Sequence, residues 1–249
     1  MSQTPLPALW IAGAGGVGRE ALDTARAAGV LVAGFLDDHA RGGTVRGLPV
    51  LGPADAPPGS RYLVGIADPA VRRRLAALLD GLGAVPATLV HPRAIIAPET
   101  ELGPGCLVMG GAYVSSGVRL GAHSQVHYNA TIGHDSVLGD RVTVYPGGNV
   151  SGAVRLAADA TVGSNAVVLQ GRTVGPGAFV GAAAVVTRDV AAGTVVAGSP
   201  ARPLPPKTPS GASGADRWPP VGERASGEHG SGEQGSGDRA PGGTVPGNS

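Results

Sequence analysis

The feature that most constrains this chain of 249 residues is an aliphatic residue at every sixth position from residue 96 to residue 186. All sixteen positions hold Ile, Leu or Val, namely Ile96, Leu102, Val108, Val114, Leu120, Val126, Ile132, Leu138, Val144, Val150, Leu156, Val162, Val168, Val174, Val180 and Val186. A small residue usually precedes each by two positions, and a glycine often follows it, as at Gly121, Gly133 and Gly163. This period matches neither the 3.6 of a helix nor the 2 of a strand.

A period of six is typical of a prism whose flat faces are short parallel strands joined by turns. Within each face, the aliphatic residue and the small residue are expected to point inward. The glycine that follows is expected to supply corner conformations that a side chain would penalise. Three faces make a coil of about 18 residues, so residues 94–189 predict roughly five coils stacked about 4.8 Å apart.

The repeat resembles the hexapeptide-repeat left-handed β-helix, and its hand is taken from that resemblance. Residues 1–90 differ, because apolar strands such as "VLVAGFLDD" and "RYLVGIAD" alternate there with helical segments such as "PAVRRRLAALLDGLG". Such alternation indicates a parallel sheet flanked by helices. We therefore predict an α/β, Rossmann-like domain over residues 1–90 and a left-handed parallel β-helix over residues 91–206. The Gly-, Ser- and Pro-rich residues 207–249 are predicted to be a disordered tail.

Composition excludes several partners. The formal net charge is +1, which leaves no electrostatic footprint for nucleic acid. No apolar run reaches the roughly 18 residues of a membrane span, and the N-terminus lacks the features of a signal peptide. The one cysteine, Cys106, fits a reducing compartment and falls on the inward track of small residues. We expect a cytoplasmic protein in which Cys106 is part of the core rather than a nucleophile.

The stretch "NATIGHDSVLGD" places His134 beside Asp135, two residues after the inward Ile132. The histidine is therefore expected near a corner, facing out of the prism. One interpretation is a solvated surface residue. The other is a general base, because an ordinary histidine pKa of about 6.5 suits proton transfer at neutral pH. Asp135 could then orient the ring and stabilise its charge.

The motifs "HYNATIGHDSVLGDRVTVYPGGNVSGAVRL" and "GAAAVVTRDVAAGTVVAGSPAR" are similar to the PglD/NeuD-like sugar acetyltransferases of the bacillosamine and sialic-acid pathways. The resemblance extends from residue 8 to about residue 204. It implies a trimer of β-helices, each preceded by a small nucleotide-fold domain. It also implies that His134 is the catalytic base and that Asp135 raises its basicity. The reaction implied is transfer from acetyl-CoA, or another acyl-CoA, to an amine or hydroxyl of a sugar.

The resemblance implies that the coenzyme lies in a groove between neighbouring subunits. The matching positions are Thr143, Gly152, Ser164 and Ala182. Two positions depart from some family members. Thr143 replaces a second histidine that contacts the acetyl group, and His127 replaces an asparagine. The donor end of the site is therefore open to difference, including in the acyl group.

The segment "GAGGVG" follows a strand and opens a helix, which is the context of a phosphate-binding loop. Asp37 and Asp38 follow the second strand, where an acidic residue can bind a ribose hydroxyl. About 90 residues are too few for a full dinucleotide fold, so a mononucleotide site is the simpler hypothesis. By resemblance the ligand is a UDP-sugar, and the contacting positions are Gly15, Gly16, Val17, Asp37, Asp38 and Ala67. A loop kept only for its turn is the alternative, and the apolar Val17 favours it.

Two other functions remain open. A zinc lyase resembling carbonic anhydrase would need a cluster of histidines, and the candidates are His91, His123, His127 and His134. No pair of them has the 18-residue spacing of adjacent coils, so our hypothesis contains no metal. A non-catalytic trimer that binds UDP-sugar is the second alternative. Metal analysis tests the first and coenzyme A calorimetry the second, while NADH fluorescence tests a weaker nicotinamide hypothesis.

Overall fold

The computed structural model describes residues 8–205. The predicted fold, a Rossmann-like parallel sheet followed by a left-handed β-helix, is confirmed over these residues. The predicted tail, residues 207–249, lies outside the described residues. None of the helices within residues 8–205 is long and apolar enough to cross a membrane.

The N-terminal domain is a six-stranded sheet with the order β3-β4-β2-β1-β5-β6. Its elements are β1 (Leu9–Ala12), α1 (Gly16–Ala27), β2 (Val32–Leu36), β3 (Thr44–Val45), β4 (Leu48–Leu51), a 3₁₀ turn (Pro53–Asp55), β5 (Arg61–Val64), α2 (Pro69–Gly81) and β6 (Val85–Pro86). All pairings are parallel except that of β3 with β4. The apolar β1 and β5 are buried in the middle, so their carboxyl ends lie at one edge, where parallel sheets bind ligands.

Helix α2 begins as the sequence predicts. Pro69 occupies the first turn, where its missing N–H costs nothing, and the side chain of Asp68 accepts a hydrogen bond from the Val71 N–H at 3.0 Å. The helix ends at Gly81, and Gly83 has a positive φ of 76°. The buried side of α2 includes Arg72, which is unusual for a charged residue.

The β-helix has three faces. Face 1 contains β7 (Leu89–Val90), β10 (Leu107–Val108), β13 (Gln125–Val126), β16 (Thr143–Val144), β19 (Thr161–Val162), β22 (Phe179–Val180), β24 (Val195–Ala197) and the antiparallel β25 (Arg202–Pro203). Face 2 contains β8 (Ile95–Ile96), β11 (Tyr113–Val114), β14 (Thr131–Ile132), β17 (Asn149–Val150), β20 (Val167–Val168) and β23 (Val185–Val186). Face 3 contains β9 (Glu101–Leu102), β12 (Arg119–Leu120), β15 (Val137–Leu138), β18 (Arg155–Leu156) and β21 (Thr173–Val174).

We name the corners by the faces they join: edge 1–2, edge 2–3 and edge 3–1. Each strand pairs with the strand 18 residues further along, as Thr131 does with Asn149. The aliphatic track is buried from Val108 to Val186 and forms one continuous core with the small inward residues, including Cys106. The run Val85–Val90, predicted as one strand, is divided, because β6 joins the N-terminal sheet and β7 joins face 1.

The predicted role of the glycines after the aliphatic track was wrong. The left-handed corner conformation falls two residues later, at positions such as Gly117 (φ 67°) and Asp135 (φ 60°). The glycine directly after the track is needed for close approach between coils. A Cβ built on Gly133 would lie 2.5 Å from the backbone nitrogen of Gly152 in the next coil. Close stacking, rather than backbone conformation, therefore excludes a side chain there.

Candidate active site

His134 and Asp135 lie together on edge 2–3. With its proton on Nδ1, the imidazole donates a hydrogen bond to Oδ2 of Asp135 over 2.8 Å. The two side chains are 55% and 70% exposed, so the pair faces outward, as the sequence predicts. The left-handed φ of Asp135 turns its carboxylate back towards the ring, and aspartate tolerates this conformation better than most residues. Because Nδ1 carries the proton, Nε2 keeps a free lone pair.

Two glycines make room for this dyad from neighbouring coils. Gly152 lies 18 residues after His134, and a Cβ built on it would be 2.5 Å from Nε2 of the ring. Gly117 lies 18 residues before Asp135, and a Cβ there would be 2.6 Å from Oδ1 of the carboxylate. Backbone bonds fix the coils around the pair, because the Asp135 N–H donates to Ser116 and the Ala153 N–H donates to the His134 carbonyl. The ring therefore lies over bare backbone.

The glycine loop of the N-terminal domain divides its glycines between two tasks. Gly13 has a positive φ of 105°, and a Cβ on Gly18 would overlap the Gly13 carbonyl, so these two serve the turn and the packing of α1 on β1. A Cβ on Gly15 or Gly16 would meet nothing within 4 Å. Val17 is partly buried against the domain core. Gly15 and Gly16 are thus the members of the loop that a ligand could approach closely.

The two predicted ribose-binding carboxylates differ. Asp37 accepts hydrogen bonds from the Ala14 N–H at 2.8 Å and from the His39 N–H at 2.9 Å, so both of its oxygens shape the loops around it. Both aspartates line a cleft at the carboxyl edge of the sheet. The polar residues of the cleft also include His39 and Arg74, whose side chains add potential positive charge to the wall.

The four predicted coenzyme positions do not lie together within one chain. Gly152 lies beside the dyad on edge 2–3, whereas Ser164 and Ala182 stack on edge 1–2 in successive coils. The Ala183 N–H donates to the Ser164 carbonyl at 2.9 Å, which holds these coils in register. Thr143 lies on face 1, is buried, and donates its hydroxyl proton to the carbonyl of Ala67 at 3.1 Å. Its assignment to the coenzyme remains a prediction.

Comparisons with known proteins agree with this arrangement. The family described as PglD N-terminal domain matches residues 8–79. The acetyltransferase domain of PglB from Neisseria gonorrhoeae, solved with acetyl coenzyme A, is 34% identical over 80% of this chain and 100% of its own, with a TM-score of 0.76. WeeI from Acinetobacter baumannii is 31% identical over 79% of this chain and 99% of its own, with a TM-score of 0.75.

The chain belongs to the PglD/NeuD-like family of sugar acetyltransferases. Membership makes it an acyltransferase. A further similar structure is a histidine-to-asparagine variant of perosamine N-acetyltransferase from Caulobacter crescentus, in complex with CoA and GDP-perosamine. It is 27% identical over 82% of this chain and 100% of its own, with a TM-score of 0.76. A search of curated proteins finds no match.

The other histidines of this PglD/NeuD-like chain lie in separate surroundings. His123 is buried on edge 3–1 and stacks on Tyr62 with ring centroids 6.0 Å apart, and burial lowers its pKa. His127 is buried at the start of edge 1–2 against the ring of Tyr145, and burial together with the charge of Arg72 lowers its pKa to about 4. Within residues 8–205, no three His, Cys, Asp or Glu side chains come close enough to share a metal ion.

Sequence reasoning missed several polar residues. Gln125 on face 1 is buried and donates from Nε2 to the carbonyl of Val64 at 2.8 Å, which ties β5 to the β-helix. Arg72 enters the same junction, and burial lowers the pKa of its guanidinium to about 10, so it stays protonated at neutral pH. A polar cavity of about 300 Å³ opens at the N-terminal end of edge 1–2, lined by His91, Arg93, Gly110, Gly111 and Asn129. The sequence gives no local pattern for any of these contacts.

Proposed function

We propose that this chain is a homotrimeric, acyl-CoA-dependent transferase that acylates an amine or hydroxyl of a nucleotide-linked sugar, with His134 as the general base. Acetyl-CoA is the proposed donor. The observation that carries the proposal is the His134–Asp135 pair, which lies 2.8 Å apart on an exposed edge with Nε2 against the bare backbone of Gly152. An acceptor group can reach Nε2 there without displacing a side chain.

The proposed chemistry requires one proton to be taken and returned. Acetyl-CoA, as co-substrate, supplies a thioester; the new bond joins its acetyl carbon to the acceptor nitrogen or oxygen, and the carbon–sulfur bond breaks. Nε2 of His134 takes the acceptor proton during the attack and returns it to the departing sulfur. Asp135 stabilises the imidazolium between these transfers. A backbone N–H of the groove would stabilise the developing negative charge on the carbonyl oxygen.

The geometry of face 2 supports a site shared between subunits. Ile95 and Tyr113 are paired on this face, and they are 61% and 46% exposed, although a soluble surface seldom presents such neighbours. The dyad lies on edge 2–3, at one border of face 2, and Ser164 and Ala182 lie on edge 1–2, at the other border. If face 2 packs against a neighbour in a closed ring, one subunit's edge 2–3 approaches the next subunit's edge 1–2.

The N-terminal cleft supports a nucleotide-linked acceptor. Gly15 and Gly16 open the first turn of α1, whose free backbone N–H groups attract phosphate, and neither glycine hinders close approach. Asp38 is available for a ribose hydroxyl, and Arg74 for a diphosphate. The similar perosamine N-acetyltransferase was solved with GDP-perosamine. For this chain we propose a UDP-sugar, bound at Gly15, Gly16, Val17, Asp37, Asp38 and Ala67.

Direct transfer without an acyl-enzyme is the proposed route. The thiol of Cys106 is buried in the β-helix core and donates a hydrogen bond to the Gly121 carbonyl at 3.2 Å. Burial raises the pKa of this thiol to about 11, so almost none of it is thiolate at neutral pH. A neutral buried thiol and a reducing compartment agree with each other, and we propose that the enzyme works in the cytoplasm.

The test is turnover of His134→Ala with acetyl-CoA and a panel of UDP- and GDP-linked amino sugars, with products identified by mass spectrometry. Loss of the base should lower kcat by about 10²–10⁴-fold. Gly81→Ala is a suitable control, since its added Cβ meets nothing within 4 Å. An intact trimer of His134→Ala with near-normal turnover would remove this residue from the mechanism.

A further inference from the structure

The junction between the N-terminal domain and the β-helix contains a buried cation with neutral partners. Arg72 lies on α2 and is fully buried. Among residues 8–205, no carboxylate lies within ion-pair distance of it. Its Nη1 donates to the carbonyls of Ile66 at 3.0 Å and Ala67 at 2.7 Å. Its Nη2 donates to the Thr143 hydroxyl at 2.8 Å and to the Arg141 carbonyl.

These contacts join two parts of the molecule that are about 70 residues apart in sequence. Ile66 lines the acceptor cleft of the N-terminal domain, and Ala67 follows it. Thr143 belongs to β16 on face 1, and Arg141 lies on edge 3–1. The Thr143 hydroxyl also donates to the Ala67 carbonyl, so Arg72 and Thr143 converge on one oxygen atom. One coil earlier, Gln125 holds the Val64 carbonyl, so the whole segment 64–67 is attached to the β-helix.

Cohesion alone does not explain an arginine at this position. Burying a guanidinium without a counter-charge is unfavourable, and a well-packed apolar residue generally closes such a junction at least as well. A guanidinium adds direction, because its planar fork holds several donors at fixed angles. The fork of Arg72 fixes the carbonyls of Ile66 and Ala67 relative to Arg141 and Thr143. The junction is therefore built for a defined position rather than for adhesion.

We infer that Arg72 is a positioning residue, which with Thr143 holds the acceptor-binding segment Ile66–Ala67 at a fixed place on the β-helix. This inference rests on the proposed function, in which the acceptor binds in the N-terminal cleft and reacts at the β-helix edge. It also assigns Thr143 to the junction. The one hydroxyl proton of Thr143 is used by Ala67, so this residue has none to donate to an acyl carbonyl. Arg72 acts through the acceptor segment and does not touch the reacting atoms.

The test compares Arg72→Met, Thr143→Val and their double variant, using the fastest acceptor of the sugar panel and acetyl-CoA. Calorimetry with UDP and with coenzyme A gives the binding constants. A shift of the acceptor segment should lower kcat about 10–100-fold in Arg72→Met, while the Kd of UDP and of coenzyme A stay unchanged. The double variant should lose no more than Arg72→Met, because both substitutions remove the same contact. Thr143→Ser keeps the hydroxyl and should restore kcat, and the exposed Arg26→Met is the matched control.

Three results would overturn the inference: wild-type kcat in Arg72→Met, losses that multiply in the double variant, or a weakened Kd for coenzyme A in Thr143→Val. If Arg72→Met does not assemble, Thr143→Val against Thr143→Ser decides, since only the first should lower kcat. Failure of the proposed function is distinguishable, because His134→Ala would then be as active as the wild type. A wild-type protein that transfers no acetyl group overturns both.

Discussion

The β-helix presents two contrasting sides built on one repeating backbone. Edge 2–3 is open and carries His134, whereas the covered side, by which we mean face 1 and edge 3–1, meets the N-terminal domain. Left-handed corner residues occur on both, as Asp135 on edge 2–3 and Arg141 on edge 3–1. Asp135 faces an exposed imidazole, while Arg141 donates from Nε to Asp159 at 2.8 Å on the covered side. The repeat therefore fixes where side chains stand, and the neighbouring domain decides which of them can do chemistry.

Histidines show the same contrast most clearly. His134 is exposed and bonded to a carboxylate, whereas the neutral forms of His123 and His127 are favoured by burial. A buried histidine next to Arg72 cannot easily gain a proton, so it is poorly suited to be a base at neutral pH. One sequence thus contains a reactive-type histidine and two structural ones within twelve residues, and only their surroundings separate them.

The largest expected effect tests the covered side through its pH dependence. The pKa of His127 is about 4 in the folded chain and about 6.5 when unfolded, so below pH 6.5 the unfolded state binds more protons. The stabilising effect of the neutral ring is complete above about pH 6.5 and is lost as the pH falls to about 4. The loss should reach about 3 kcal/mol in the free energy of unfolding.

Urea unfolding of the wild type and of His127→Asn, at pH 7.5 and at pH 4, measures this loss. The amide does not titrate, so the difference between the two proteins should change by that amount between the two pH values. His134→Asn is the matched control on edge 2–3. Equal pH dependence in the wild type and His127→Asn would show that His127 is not held neutral by its surroundings.

The next effect tests the open edge. Gly152→Ala would place a methyl group against Nε2 of His134, so the ring must move from the position that the dyad gives it. A displacement of this kind should lower kcat by about 10²-fold, with coenzyme binding largely retained. Steady-state kinetics with Gly81→Ala as the control measures it. Undiminished kcat in a folded Gly152→Ala trimer would mean that the observed ring position is not the reactive one.

The smallest effect concerns the partner of the base. Asp135→Asn keeps the shape of the side chain but removes the charge that stabilises the imidazolium. Because both side chains are largely exposed, solvent weakens the ion pair, so we expect a loss in kcat of only about 10-fold. Rates measured against pH should show the change in kcat. A loss as large as that of His134→Ala would indicate that Asp135 does more than stabilise charge.

The sequence predicts the β-helix well because its order is local. Each aliphatic residue of the track, such as Val126 or Ile132, is buried where the period places it. The period also places His134 at an outward corner. What the sequence could not predict depends on docking between segments far apart in the chain. Thr143 matches a family position for the coenzyme, yet its burial follows from contacts with Ala67 and Arg72, about 70 residues away.

The N-terminal domain illustrates a second limit. The motif "GAGGVG" predicts the loop and the helix after it, but not that Gly13 and Gly18 serve the fold while Gly15 and Gly16 stay open. The acidic pair was likewise predicted as a unit, although Asp37 is bonded to the backbone of Ala14 and His39. Motifs report which residue types are present, and only three-dimensional packing divides the work between them.

The most direct test of the central claim, a site shared by edge 2–3 of one subunit and edge 1–2 of its neighbour, is complementation in mixed trimers. His134→Ala removes the base, and Ala182→Trp blocks the proposed coenzyme edge, so each variant alone should be inactive. Trimers refolded from equal amounts of both should regain about one quarter of wild-type activity, because random mixing pairs an intact His134 with an intact neighbouring edge at that frequency. Mixed trimers as inactive as either parent would contradict the shared site.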